Sequence, residues 1–397
     1  MPAMRRAFGL FRAAGAAAAL AALPRKRCVC DDLRAASGPA HTRRDPRTGF
    51  EMRLGDPQGM NHGPLRIFCG NAHRELAEAI AAKMGIPLGK ATVGRFPCGE
   101  VNVVLNESVR DCDVFIIQPT CNGGAGPQEH LVELLIMLDA IRRGAANRVT
   151  AIIPQYGFAR QNAKEKSRSP ISARLVTDLL QVAGAHRVVT IELHASQIQG
   201  FATFPIDNIY ALPMLAKEIE RLMRKRGLKA EDLVVVSPDV GGTKRASGMA
   251  KMLCSPLAIF SRQRRRPNEP TEVDLVGEVQ GKTCIVVDDI ADTADTLCQA
   301  ADKLKARGAS AVVGAVVHGI LSDPACESIM ASQLEAVFVT DTIPLGDKLH
   351  RCPKLEVVSV ASLLANASWS QGMRHLQCKQ AEAITAGVSS APETPQV

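Results

Sequence analysis

The fold is decided by the stretch Cys284-Ile285-Val286-Val287-Asp288-Asp289-Ile290-Ala291-Asp292-Thr293-Ala294-Asp295-Thr296. Its first four residues are apolar and predict a buried strand, and two acids come directly after them. A threonine-rich turn then opens a helical pattern of apolar residues that ends at Arg307-Gly308. An open parallel sheet binds phosphate at such a place, beyond the carboxyl end of a strand and against the amides of the next helix.

The polar residues of this stretch suit a sugar phosphate. Asp288 and Asp289 offer carboxylates to ribose hydroxyls or a metal, and Thr293 and Thr296 offer hydroxyls to a phosphate. The structural alternative is a strand that ends in solvated acids, followed by a threonine that caps the helix. A lone pair of acids would favour that alternative. The whole D-D-x-x-D-T-x-x-T pattern after four apolar residues favours a functional loop.

Strand and helix patterns alternate along the chain, and this plan occurs twice. It predicts an α/β protein with two domains and parallel sheets. The predicted strands are 65–68, 101–105, 114–117, 149–153, 188–193, 233–236, 257–260, 284–287, 311–317, 336–339 and 355–358, and the main helices 128–143, 175–183, 214–226 and 242–253. We therefore predict an N-terminal domain over residues 61–210 and a C-terminal domain over 211–370, with an extension at 1–60 and a disordered tail at 371–397.

The composition is that of a globular protein with ordinary cores. Of the 397 residues, 46% are hydrophobic and 22% charged. The formal charge of +8 comes largely from the first 30 residues, so it gives no reason to expect nucleic-acid binding. No apolar run reaches the roughly 18 residues of a membrane span. The 12 cysteines lack metal-type spacing, and several lie within apolar runs, which favours a reducing compartment.

The first 60 residues differ from the rest because they lack the alternation. Their start is rich in Arg and Ala and contains no acid before Asp31, as in an organellar transit peptide. A dispensable extension, or a true start at Met60, is the second interpretation. We expect a cytoplasmic protein, or a mitochondrial or plastid one if the extension is a transit peptide.

Four further motifs occur in a fixed order around the first one. They are Ala159-Arg160-Gln161, Lys166-Ser167-Arg168-Ser169-Pro170-Ile171-Ser172, Leu193-His194-Ala195-Ser196-Gln197-Ile198-Gln199-Gly200-Phe201 and Ser237-Pro238-Asp239-Val240-Gly241-Gly242-Thr243-Lys244-Arg245. With the first stretch, they resemble the phosphoribosyl pyrophosphate synthetase (ribose-phosphate diphosphokinase) family over about residues 65–365. The resemblance implies two phosphoribosyltransferase-type, Rossmann-like domains. It also implies Mg²⁺-dependent transfer of pyrophosphate from ATP to ribose 5-phosphate, which releases AMP and serves nucleotide biosynthesis.

The resemblance assigns an ATP site to two loops. Phe96 would stack on adenine and Glu100 would accept from its amino group, across a dimer interface, although Cys98 replaces the family's usual Asn or Asp. Arg160 and Gln161 match the family's other ATP-binding positions, where a guanidinium suits a polyphosphate. Without the resemblance, the sequence around Phe96 predicts only a turn between strands, and the sequence around Arg160 predicts only a solvated basic loop.

The resemblance also implies metal ligands and a sugar-phosphate site. His194 would lie beside the phosphates and the metal, with Glu192, Asp207 and Asp239 as further ligands. Glu192 stands where the family has Asp, and Thr203 stands where another acid is common. The residues expected to bind ribose 5-phosphate are Asp288, Asp289, Asp292, Thr293 and Thr296.

Two basic motifs are harder to assign. Arg262 and Arg264 lie in the register of a family Lys-x-Arg pair that folds over the polyphosphate, and Arg262 replaces its Lys. They are the predicted catalytic residues beside His194. Lys244 and Arg245 could be no more than surface charges.

The regulatory properties and the activity itself leave alternatives open. Ser108, Arg110, Ser167 and Arg168 resemble parts of the family's regulatory phosphate site. The resemblance implies a homo-oligomer built from dimers, or a hetero-oligomer with a related synthetase. Because Cys98, Glu192, Thr203, Arg262 and Asp295 depart from the family pattern, a catalytically weak regulatory subunit is the second hypothesis. An ordinary phosphoribosyltransferase generally needs one domain, and a nucleic-acid-binding regulator would need a helix-turn-helix that is not recognisable here.

Overall fold

The computed structural model of the chain describes residues 41–44, 51–54, 64–263 and 272–369. The chain forms two compact units, residues 1–61 and 62–397. The described part of the first unit is a two-stranded antiparallel hairpin of β1 (His41–Arg44) and β2 (Glu51–Leu54). All other elements belong to the second unit.

The second unit contains two parallel sheets. The first has five strands in the order β3-β6-β7-β8-β9, and the second has seven in the order β12-β11-β10-β13-β14-β15-β16, where only β12 is antiparallel to its neighbour. A hairpin of β4 and β5 accompanies the first sheet. The strands are β3 (Leu65–Cys69), β4 (Ala91–Arg95), β5 (Val101–Leu105), β6 (Asp113–Ile117), β7 (Arg148–Ile153), β8 (Arg187–Ile191), β9 (Ile206–Ile209), β10 (Leu233–Ser237), β11 (Leu257–Gln263), β12 (Glu272–Val276), β13 (Thr283–Ala291), β14 (Ala311–Gly319), β15 (Ala336–Thr340) and β16 (Leu355–Val358).

Helices cover both faces of each sheet, as buried parallel strands require. They are α1 (Arg74–Met84), α2 (Pro127–Arg143), α3 (Ser172–Ala183), α4 (Leu212–Arg226), α5 (Thr243–Met252), α6 (Asp295–Ala306), α7 (Ala325–Ala331), α8 (Lys348–Arg351) and α9 (Ala361–Trp369). One apolar cluster joins α1, α4, α5 and α9 to one face of each sheet. A second cluster packs α2 and α3 on the other face of the first sheet, and a third packs α6 and α7 on that of the second.

The predicted fold class is confirmed, since the structure is an α/β protein with two parallel sheets. The sequence analysis missed β4, β9 and β12, which have only four or five residues each and in which polar residues or glycine interrupt the apolar ones. It also ended the central strand too early, because β13 continues to Ala291 beside the long β14. The domain bounds at residues 60, 210 and 370 stay predictions, and the tail at 371–397 lies outside the described residues.

Candidate active site

Two acids of the opening motif lie near the carboxyl end of β13, in the centre of the second sheet. They belong to the strand rather than following it, because Asp288 pairs with Val316 of β14 and Ile290 with His318. Asp289 is buried with 6% of its surface exposed. Its amide donates to Asp288 Oδ1 over 2.9 Å. These are therefore not solvated acids at the end of a strand.

Arg245 is the cation that faces these acids, and the sequence analysis missed it. Its guanidinium nitrogens lie 3.5 Å from Asp289 Oδ2, 4.0 Å from Asp288 Oδ1 and 3.8 Å from Glu192 Oε2. Its side chain is 15% exposed, so the interpretation as a surface charge is wrong. In the sequence, Arg245 differs in no visible way from the neighbouring basic residue Lys244. We call Glu192, Asp288 and Asp289, with Arg245 and His194, the carboxylate cluster.

His194 completes the cluster from the loop that follows β8 of the first sheet. Its Nδ1 lies 2.7 Å from Asp289 Oδ2. The hydrogen bond to Asp289 raises the pKa of His194 against the opposing effect of burial. Burial alone would raise the pKa of Asp289, but His194 and Arg245 together hold it well below its usual range. The pKa of Asp288 is raised, chiefly by burial and to a smaller extent by the neighbouring Asp289.

Glu192 is held in an unusual backbone conformation. It is 4% exposed at φ +43°, and its Oε1 receives no hydrogen bond from the described residues. Burial raises its pKa to about 7. His318 of the second sheet holds this segment, because its Nε2 lies 3.0 Å from the Ile191 carbonyl and 3.2 Å from that of Glu192. The other ring nitrogen lies 2.8 Å from Thr342 Oγ1.

The predicted sugar-phosphate residues surround one cavity of about 320 Å³. Asp292 and Thr293 lead into Ala294, which has φ +62° and precedes the first turn of α6. Thr293 Oγ1 donates to Asp295 Oδ2 over 2.9 Å, so a carboxylate of this chain occupies the amino end of α6. The predicted site residues that line this cavity are Arg160, His194, Asp239, Asp288, Asp289, Asp292, Thr293 and Thr296.

A second cavity of about 620 Å³ adjoins the first, and Arg160, Ile290 and Asp292 line both. Arg160 Nη1 donates to Asp292 Oδ2 over 2.9 Å, which connects the two sheets at this edge. The loop that carries Arg160 depends on Gly157, whose amide donates to Thr120 Oγ1 over 2.7 Å. A Cβ at Gly157 would lie 2.4 Å from the Thr120 carbonyl oxygen, so no larger residue fits. Gln161 accepts from Ser172 Oγ at the start of α3.

The segment Phe96–Glu100, which we call the hairpin tip, joins β4 to β5. The Phe96 amide donates to the Glu100 carbonyl over 2.8 Å, and the Gly99 amide donates to the Phe96 carbonyl over 2.8 Å. Phe96 is 48% exposed, and Cys98 and Glu100 are exposed as well. The predicted adenine-binding residues therefore lie on a turn whose side chains face solvent.

The predicted metal ligands are only partly brought together. Asp239 lines the first cavity and accepts from the Gly242 amide over 2.8 Å. Asp207 instead pairs with Arg187, at the level of Val189 in the first sheet, and burial raises its pKa. Among the described residues, no group of three or more His, Cys, Asp or Glu side chains is arranged to hold a metal by itself.

The remaining predicted residues lie outside this arrangement or outside the described residues. Arg262 lies on β11, where its backbone pairs with Val273. Arg264 falls outside the described ranges. Ser108 and Arg110 are exposed near the start of β6, and Ser167 and Arg168 are exposed before α3. The Arg110 amide donates to Ser108 Oγ over 3.4 Å.

Parallel sheets with an acidic, threonine-rich loop at the carboxyl end of a central strand are typical of a protein of the phosphoribosyltransferase type. Residues 65–184 match the family described as the N-terminal domain of ribose phosphate pyrophosphokinase, and residues 258–371 match the phosphoribosyl synthetase-associated domain. The chain is 46% identical to ribose-phosphate pyrophosphokinase A of Dictyostelium discoideum over 303 residues, which are 76% of this chain and 93% of that protein. It is 48% identical to the ribose-phosphate pyrophosphokinase of Xanthomonas campestris pv. campestris, over 76% of this chain and 92% of that one.

A solved structure agrees with these sequences. Phosphoribosylpyrophosphate synthetase from Mycobacterium smegmatis superposes with a TM-score of 0.71 at 42% identity and covers 77% of this chain and 97% of its own. The chain therefore belongs to the ribose-phosphate pyrophosphokinase family of enzymes. In the part of the chain that the structure describes, no helix is long and apolar enough to cross a membrane.

Proposed function

We propose that the chain transfers the β,γ-pyrophosphoryl group of ATP to ribose 5-phosphate. The observation that supports this most directly is the pair of adjoining cavities that share Arg160 and Asp292. One cavity contains the ribose-phosphate loop, and the other has the predicted ATP residues Arg160 and Gln161 in its wall. Two substrates in neighbouring cavities have the proximity that a direct transfer between them requires.

The residues of the first cavity suit the acceptor sugar. In the proposed complex, Asp288 and Asp289 accept hydrogen bonds from the ribose hydroxyls, while Thr293, Thr296 and the first amides of α6 donate to the 5-phosphate. The oxygen of the 1-hydroxyl forms a bond to the β-phosphorus of ATP as the bond to the α,β-bridging oxygen breaks. AMP leaves, and the hydroxyl proton passes to solvent.

Arg160 and His194 act on the donor side of this transfer. Arg160 carries donors in a fork that fits phosphate oxygens, and it exchanges its contact with Asp292 for the polyphosphate. His194, whose Nδ1 bonds to Asp289, lines the first cavity beside Arg160. The predicted catalytic residues Arg262 and Arg264 would add further positive charge.

The donors of the first cavity fit Mg²⁺. Three acids of the carboxylate cluster face one arginine and one histidine, and this excess of negative charge accompanies a raised pKa at Asp288. His194 bonds to Asp289 through Nδ1, as metal-binding histidines bond to a carboxylate through their second nitrogen. Asp239 and His194 would hold the ion, together with phosphate oxygens of the substrate, while Asp288 and Asp289 bind the ribose hydroxyls. When bound, Mg²⁺ supplies neutralisation of the polyphosphate charge.

The wider role rests on the family membership. We infer a role in nucleotide biosynthesis in a homo-oligomer built from dimers, in which the hairpin tip, with Phe96 and Glu100, meets the adenine of a neighbouring subunit's ATP. Ser108, Arg110, Ser167 and Arg168 stay a predicted regulatory phosphate site, and the compartment stays a prediction. A purely regulatory subunit gains no support, because the relatives that the chain matches carry the name of the enzyme.

The test is AMP release from ATP and ribose 5-phosphate by the purified full chain with Mg²⁺. We expect AMP and phosphoribosyl pyrophosphate in equal amounts, and none without ribose 5-phosphate. Arg160→Met should raise KM for ATP, and the matched control Arg221→Met, on the exposed face of α4, should not. Release of ADP or inorganic phosphate in place of AMP would contradict the proposal.

A further inference from the structure

Arg245 lies behind the wall of the sugar-phosphate cavity. It is the third residue of α5, its side chain is 15% exposed, and it is not among the residues that line the cavity. The acids that it faces, Asp288 and Asp289, do line the cavity. Arg245 therefore acts on whatever binds there only through these carboxylates.

A single guanidinium serves three buried or half-buried acids. Its Nη2 faces Asp289, its Nη1 faces Asp288 and its Nε faces Glu192, at 3.5 to 4.0 Å. The planar fork lets each acid face a different nitrogen, whereas an ammonium offers one point of charge. Without this cation, Asp288 and Asp289 would keep their mutual repulsion, and His194 would be their remaining positive partner among the described residues.

The position of Arg245 is fixed from both sides. Asp239 Oδ1 accepts from the Gly242 amide over 2.8 Å, and the Asp239 carbonyl accepts from Ser237 Oγ over 2.6 Å, so the start of α5 is held in place. On the other side, His318 Nε2 contacts the backbone carbonyl of Glu192. The side-chain carboxylate of Glu192 faces the guanidinium of Arg245. Contacts from both sheets thus fix the position of Arg245, and Arg245 in turn fixes the orientation of the acids.

We infer that Arg245 is a positioning residue for the acceptor sugar: it orients Asp288 and Asp289 toward the ribose hydroxyls from behind the cavity. This rests on the proposed function and names a residue on which that site depends. The effect falls on ribose 5-phosphate rather than on ATP, because the acids that Arg245 contacts belong to the cavity of the sugar-phosphate loop. Gln161, on the ATP side, lines the neighbouring cavity and not this one, whereas Arg160 lines both.

The experiment compares Arg245→Met, Arg245→Lys and the control Arg221→Met in the full chain. Arg221 is 74% exposed and pairs only with Glu218 among the described residues. We expect Arg245→Met to lower kcat/KM for ribose 5-phosphate by at least about 30-fold and to change KM for ATP by less than about threefold. Arg245→Lys should recover part of the loss, and the control should match the unmodified chain.

A merely structural role predicts a different pattern. It would lower the melting temperature and leave both substrate constants of the folded protein within about threefold of the unmodified chain. That result overturns the inference, and so does an equal loss for ATP and ribose 5-phosphate. If Arg245→Met does not fold, Arg245→Lys decides: the inference requires a loss of at least about threefold that is selective for ribose 5-phosphate.

The same proteins separate this inference from the proposed function. If the unmodified chain releases no AMP, the proposed function fails, and calorimetric titration with ribose 5-phosphate and Mg²⁺ then decides about Arg245. Weaker binding by Arg245→Met than by the unmodified chain supports the inference. Equal binding, or no binding by the unmodified chain, overturns it.

Discussion

The carboxylate cluster and the hairpin tip are both predicted substrate sites, but they are built in different ways. The cluster draws its residues from the loop after β8, from α5 and from β13, and nearly every charged atom in it faces an opposite charge. The hairpin tip satisfies only its own backbone, and its side chains face solvent. A buried charge is costly unless other residues of the protein pair with it. The side chains of an exposed turn are solvated, so they need no such partner before a ligand binds. We therefore expect substitutions in the cluster to have larger effects than substitutions in the tip.

The largest effect is expected at Asp289. Asp289→Asn should lower kcat/KM for ribose 5-phosphate by at least about 100-fold, or roughly 3 kcal/mol of transition-state stabilisation. The reason is that Asp289 is the acid that both Arg245 and His194 contact. Steady-state kinetics gives the loss, and circular dichroism shows whether the fold is intact. Asp302→Asn, on the exposed face of α6, is the matched control. Nearly unchanged kinetics would remove Asp289 from the site.

The second largest effect is expected on the pH dependence of stability, through His318, which links the two sheets. Burial lowers the pKa of His318 from 6.5 to about 4. As the pH falls below 6.5, the unfolded chain takes up the proton first, so stability is complete above that pH and is lost toward pH 4. The loss should be about 2 kcal/mol by pH 5. Urea unfolding at pH 7.5 and 5 measures it.

Two variants check the assignment to His318. His318→Gln should reduce this pH dependence, and the exposed control His350→Gln should retain it. An equal pH dependence in all three proteins would contradict the prediction.

The third effect, about tenfold, is expected at Asp295. The left-handed backbone belongs to Ala294, so one reason for a penalty, a positive φ at Asp295, does not apply. The carboxylate remains at the amino end of α6, and at about 5 Å it would repel a phosphate by several kcal/mol at an effective dielectric near 20. Asp295→Gly should therefore tighten ribose 5-phosphate binding at least about tenfold in calorimetry with Mg²⁺.

Asp295→Asn separates charge from size, because it keeps the side chain and removes only the carboxylate. It should recover most of the gain. Tight binding by the unmodified chain that neither substitution changes would show that Asp295 does not face the phosphate.

A smaller effect is expected at the hairpin tip. Phe96→Ala should raise KM for ATP about fivefold, because one aromatic stacking contact contributes about 1 kcal/mol. KM for ribose 5-phosphate should not change. Val104→Ala, at another exposed apolar residue of the same hairpin, is the control. If Phe96→Ala had an effect as large as Asp289→Asn, the contrast between the two regions would be wrong.

No effect is expected from residues 1–59. They lack the alternation of strand and helix patterns that begins at Leu65. A chain without them should keep its melting temperature within a few degrees and its kcat/KM within error. A larger drop would show that they stabilise the enzyme.

The sequence alone determined most of the elements and the position of the predicted ribose-phosphate loop. Strand and helix periodicity, with Gly85 and Gly308 after helices, depends on residues near one another in the chain, and so does the D-D-x-x-D-T-x-x-T turn. The ordered motifs also indicated the family, which the relatives confirm. Such features can be predicted from the sequence because neighbouring side chains determine the local backbone conformation and which face of an element is buried.

Only the tertiary structure decided which charges meet. Arg245 reads as one more basic residue beside Lys244, yet it faces acids that are 53, 43 and 44 positions away in the chain (192, 288 and 289). Asp207 reads as a metal ligand but pairs with Arg187, and His318 carries no motif at all but joins β14 to the end of β8. Charge–charge energies depend on distance and burial, and both are set by how the two sheets pack rather than by spacing along the chain.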